Sequence, residues 1–88
     1  MTLSLTRARL AKYMDHTLLK PDATAVQIDR VVDEAKRYGT ASVCVNGYWV
    51  PRVAAALKGT GIKACAVIGF PLGAMSTEAK VFEAADAV

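Results

Sequence analysis

Histidine and tryptophan each occur once in this sequence and cysteine twice, and these scarcities remove several function classes at the outset. Cys44 and Cys65 have no CxxC partner and no neighbouring histidine, so the ligand spacing of a zinc site is missing and zinc is not expected. No apolar run approaches the roughly 18 residues that a membrane-spanning helix requires. The opening residues alternate polar and apolar instead of forming a signal peptide, which leaves the cytoplasm as the expected location. Eleven Lys and Arg against eight Asp and Glu give a net charge of +3. The basic residues are scattered from Arg7 to Lys80, so no basic stripe marks a nucleic-acid or membrane partner.

What is present is an ordinary globular balance, 53% hydrophobic and 22% charged residues in 88. A chain of this length has room for one modest core, hiding about 60–65% of its unfolded surface. The pattern predicts a short helix over 6–13, with Thr6 as its cap and Leu10 and Tyr13 on one face, and then a brief strand from Met14 to Leu18. Thr24 followed by Gln27 reads as a capping box, and Ile28, Val31, Val32, Ala35 and Tyr38 recur at helical spacing until Gly39. Ala41 to Val45 reads as a buried strand. The next helix has Pro51 in its first turn and Val50, Val53, Ala54 and Leu57 on its inner face, and it ends at Gly59 and Gly61. Ile62 to Ile68 is a third strand. After the tight Gly69-Phe70-Pro71-Leu72-Gly73 loop, Ser76 or Thr77 opens a helix with Val81, Ala84, Ala85 and Val88 inward. Cys65 is expected in the core, and packing is the favoured role for Tyr48, Trp49, Phe70 and Phe82.

The order is a helix and then three strand–helix units, at about 14–39, 41–59 and 62–88, within one domain spanning 1–88. Short buried strands alternating with amphipathic helices imply a parallel sheet, either doubly wound or part of an eight-stranded barrel of about 250 residues. A dinucleotide fold wants G-x-G-x-x-G after its first strand, but Thr17-Leu18-Leu19-Lys20-Pro21 contains no glycine.

Met14-Asp15-His16-Thr17-Leu18-Leu19-Lys20-Pro21-Asp22-Ala23-Thr24 resembles the first strand and loop of deoxyribose-phosphate aldolases. Ala41-Ser42-Val43-Cys44-Val45-Asn46 is similar to that family's second strand, and Val67-Ile68-Gly69-Phe70-Pro71-Leu72-Gly73 with Thr77-Glu78-Ala79-Lys80 to its third strand and following helix. The resemblance runs from about residue 7 to the last residue. It implies an α/β fold: an amino-terminal helix plus the first three βα units of a TIM (β/α)8 barrel, with the barrel incomplete in this chain. The implied activity is that of a class I aldolase, which reversibly cleaves 2-deoxy-D-ribose 5-phosphate to D-glyceraldehyde 3-phosphate and acetaldehyde through a lysine Schiff base.

The same resemblance implies the roles of particular residues. Asp15 matches an acid in the polar network near the family's lysines, and Thr17 a position near bound substrate. Cys44 matches a cysteine at the pocket's inner edge, with a buried core cysteine as an equal reading, and Phe70 belongs to a loop that shapes the pocket wall. The family's imine lysine, helper lysine and acid–base Asp lie on later strands, so they are expected to be missing and the chain alone to be inactive. Of Lys12, Lys20, Lys36, Lys58, Lys63 and Lys80, only Lys20 is expected on the rim where barrel sites lie, and its loop offers no apolar enclosure to depress its pKa. His16 points opposite to Asp15 and reads as structural.

Two other readings stand beside the aldolase portion. One is a self-associating barrel fragment or interaction module, a homo-oligomer through open strand edges. The other is a small open-sheet binding protein, which needs a ligand loop that the sequence does not show.

Overall fold

The computed structural model describes residues 7–88, so the proposed cap Thr6 lies outside the described residues. Helix α1 (Arg7–Ala11) leads through a turn into strand β1 (Asp15–Leu18), followed by α2 (Ala25–Tyr38) and β2 (Ser42–Val45). A 3-10 turn (Gly47–Trp49) runs directly into α3 (Val50–Leu57), and β3 (Lys63–Ala66) and α4 (Thr77–Ala87) complete the order.

α2 forms where local chemistry is most explicit. The Thr24 hydroxyl accepts from the Gln27 backbone N–H at 3.3 Å, and the Gln27 side chain accepts from the Thr24 N–H at 2.9 Å. Two donors left free by any helix start are thereby satisfied. At the other end Gly39 adopts φ +68°, a left-handed conformation that costs glycine little, and its N–H caps the Ala35 carbonyl. Replacing Thr24 with alanine is expected to cost about 1 kcal/mol, read as a lower urea midpoint at unchanged slope.

The three strands lie parallel in the order β1-β2-β3, so β2 is central. One face of the sheet carries the core. Ile28, Val31, Val32 and Ala35 of α2, Val43 and Val45 of β2, and Val53 and Leu57 of α3 pack into a single buried cluster. Arg52 of α3 reaches back to Asp29 of α2 through two bonds of 2.8 Å, and this guanidinium holds the Asp29 carboxyl below its ordinary range. No helix among the described residues is long and apolar enough to cross a membrane.

The elements expected from sequence are present with shorter ends, and several side chains differ. Tyr38 is exposed because the apolar stripe of α2 finishes at Ala35, and Ala54 of α3 is exposed while Ala56 packs against the core instead. In α4, Val81, Ala85 and Val88 are exposed and only Ala84 of the expected inner side is half-buried. A cleft of about 290 Å³, lined by Ala64, Ala66, Ala84 and Ala87 among others, separates α4 from β3, so this helix is loosely seated. Cys65 is exposed instead of buried, as are Tyr48, Phe70 and Phe82, while Trp49 packs against the core. For Cys65 the cause is the open sheet: three strands cannot close on themselves, and among the described residues nothing packs over the face opposite the core.

Candidate functional site

Strand geometry decides which side chains share the uncovered face. Successive residues point to opposite sides. In β1, His16 turns toward α2, where its Nε2 lies 3.2 Å from Oε1 of Glu34, in keeping with a structural part for this residue. Asp15 and Thr17 therefore face the other way. In β2 the core takes Val43 and Val45, leaving Ser42 and Cys44 on the uncovered side. Register then sets the rows: Asp15 lies opposite Ser42 and Ser42 opposite Lys63, while Thr17 lies opposite Cys44 and Cys44 opposite Cys65.

The first row is hydrogen-bonded across the strands. The Ser42 hydroxyl donates to Asp15 Oδ1 at 2.6 Å, fixing the carboxylate against β2 with its second oxygen left for another partner. The Thr17 hydroxyl donates to the Asp15 carbonyl at 3.0 Å, which steadies the same strand end. In the second row, burial pushes the Cys44 thiol up to about 11, and the adjoining Cys65 thiol and the Asp15 charge add to that effect. Cys44 is thus a protonated, weakly nucleophilic lining group at neutral pH. Its alkylation by iodoacetamide should accelerate about tenfold per unit between roughly pH 7 and 10, since only the thiolate reacts. A plateau already at pH 9 in peptide-mapped rates would contradict that environment.

Asp15, Thr17 and Cys44 are thus brought together on one surface. Phe70 is not part of that cluster. It stands beyond the carboxyl end of β3, half exposed, in a separate cleft of about 500 Å³ with Leu19, Pro21, Tyr48 and Trp49. Gly69, at φ +65°, turns the chain into this loop, and its N–H donates to Glu83 of α4 at 3.1 Å. A methyl group at Gly69 would meet the Gly73 Cα at 3.3 Å. Asn46 ties the rim together by donating to the Leu19 carbonyl at 3.2 Å.

Sequence reasoning missed Ser42, Asn46 and the inward station of Lys63. Ser42 precedes Cys44 by two residues and so shares its face, a signal that was available; its pairing with Asp15 depends on register between segments 27 positions apart. Among the described residues no three His, Cys, Asp or Glu side chains cluster in a way that could hold a metal ion.

No family model matches the chain. The chain is 56% identical over 80 residues to a deoxyribose-phosphate aldolase of Streptococcus gordonii, an alignment covering 91% of this chain and 36% of that protein. Its backbone superposes with a TM-score of 0.90 on a candidate deoxyribose-phosphate aldolase from Coccidioides immitis, at 42% identity over 98% of this chain and 34% of that one. A second superposition, with a TM-score of 0.85 and 34% identity, is on the deoxyribose phosphate aldolase of Aeropyrum pernix, described as tetrameric; it covers 93% of this chain and 35% of that one. The chain spans about a third of the length of these proteins, and its open three-stranded sheet is an incomplete barrel.

Proposed function

We propose that this chain, a relative of the deoxyribose-phosphate aldolases corresponding to their amino-terminal portion, supplies one wall of a sugar-phosphate aldolase site without its nucleophile. The observation that carries the reading is the convergence of Asp15, Thr17 and Cys44 on the sheet face opposite the α2–α3 core, which no helix among the described residues covers. In a closed barrel that face is the interior.

The reaction is the reversible cleavage of 2-deoxy-D-ribose 5-phosphate. A neutral lysine amine condenses with the substrate carbonyl and releases water, and the protonated imine accepts the electron pair of the breaking carbon–carbon bond. As that bond breaks the C3 hydroxyl gives up its proton and D-glyceraldehyde 3-phosphate leaves, the resulting enamine takes a proton at carbon to become an imine again, and its hydrolysis frees acetaldehyde and the lysine. Asp15, held by Ser42, contributes a fixed negative charge to the polar network that sets lysine protonation. Thr17 offers a hydroxyl toward substrate, Cys44 lines the wall and Phe70 shapes the rim. No metal or cofactor takes part, and the setting is cytoplasmic.

None of the six lysines suits the imine. Lys63 faces the uncovered side but at the amino end of β3, away from the rim where barrel sites form. Lys12, Lys36, Lys58 and Lys80 belong to helices or the turns that end them, and Lys20 is exposed on the β1–α2 loop. Borohydride reduction with 2-deoxyribose 5-phosphate should therefore leave the isolated chain at its original mass. A chimaera in which this chain replaces the matched portion of the Streptococcus gordonii relative should trap one equivalent, on a lysine outside these 88 residues. A stoichiometric adduct on the isolated chain, or an adduct-free folded chimaera, would overturn the proposal.

A second reading rests on a separate observation. Among the described residues β1 and β3 each pair on one side only, and Leu72, Phe82 and Tyr48 stand more than three-quarters exposed. Unpaired edges beside uncovered apolar surface favour association. The isolated chain is expected to form homo-oligomers that pair strand edges; sedimentation showing a stable monomer at high concentration would exclude this.

A further inference from the structure

Cys44 and Cys65 are placed for a chemistry that lining a wall does not require. They are direct partners in the β2–β3 register, and their side chains leave the same face of the sheet. Neighbouring strands lie about 4.8 Å apart, inside the range of roughly 4.4–6.8 Å between α-carbons from which a disulfide is built. The two thiols differ in access, since Cys65 is exposed and Cys44 half-buried, so a reagent from solution meets Cys65 first.

We propose that Cys44 and Cys65 form a reversible dithiol–disulfide pair, oxidised by a small-molecule disulfide through exchange. The Cys65 thiolate attacks one sulfur of the small disulfide, forming a mixed disulfide and expelling one thiolate. The Cys44 thiolate then attacks the Cys65 sulfur, closing the protein disulfide and expelling the second. Both cysteine protons pass to the departing thiolates, so two protein thiols and one small disulfide become one protein disulfide and two small thiols. The product is a covalent strap between β2 and β3 across the Thr17–Cys44–Cys65 row, and a small dithiol reverses it. The raised pKa of Cys44 makes the second step the slower one below alkaline pH. The pair is a modification site and does not depend on the aldolase reading.

The test is incubation of the dilute 88-residue chain with oxidised glutathione, followed by intact-mass analysis, iodoacetamide titration and peptide mapping. The expected result is a monomer lighter by two hydrogens, with no alkylatable thiol, a peptide linking Cys44 to Cys65, and full recovery of two thiols with dithiothreitol. A Cys44→Ser chain is expected to stop at one glutathione on Cys65. Two thiols left free, stable glutathione adducts on both cysteines, or a disulfide between two chains would each overturn the proposal. If the variant does not fold, the linked peptide from the unaltered chain decides alone.

Discussion

Replacing Ile28 with alanine is expected to remove most of the stability of this chain. Ile28 is fully buried at the centre of the cluster formed by α2, β2 and α3. Deleting three carbons there loses their transfer free energy and leaves a cavity, together about 2–5 kcal/mol. A typical domain has only about 0.05–0.15 kcal/mol of stability per residue, and here one face of the sheet and most of α4 contribute little burial. The variant should show a melting temperature lower by at least about 10 °C, or no cooperative transition at all. Val26→Ala, on the same helix but 68% exposed, should change stability by less than about 0.5 kcal/mol. Equal effects at the two positions would mean that α2 does not pack as described.

Changing Asp15 to asparagine in the chimaera is expected to lower kcat by about 100-fold, the scale on which a prepositioned electrostatic group acts. Asparagine keeps the shape of the side chain and an oxygen able to accept from Ser42 Oγ, so the strand contact survives while the charge is lost. Substrate binding and melting temperature should change little. An unaltered kcat would reduce Asp15 to a residue that fastens β1 to β2. A Ser42→Ala chimaera should show a smaller loss, because the carboxylate remains but is no longer fixed.

The parts of this molecule that were legible in the sequence are those governed by neighbours along the chain. Thr24, Gln27 and Gly39 declare α2 because capping chemistry is local, and the β-branched Val43 and Val45 mark the central strand because it is buried under two helices. The rows of the candidate site were half legible. Asp15 and Thr17 share a face by the period of the strand, but their meeting with Ser42 and Cys44 depends on register, which no single segment encodes. Tyr38, Cys65, Val81 and Phe82 were read as packed on their apolar character and are exposed. Apolar residues record that a surface is to be covered, and they do not record whether the covering element lies in the same 88 residues.

The most direct measurement is the release of acetaldehyde and D-glyceraldehyde 3-phosphate from 2-deoxyribose 5-phosphate by the folded chimaera carrying this chain. The expected result is turnover that falls with Asp15→Asn while the fold is retained, because the wall formed by β1 and β2 then works within a complete barrel. A folded chimaera that releases neither product, while the unmodified Streptococcus gordonii protein releases both under the same conditions, would contradict it.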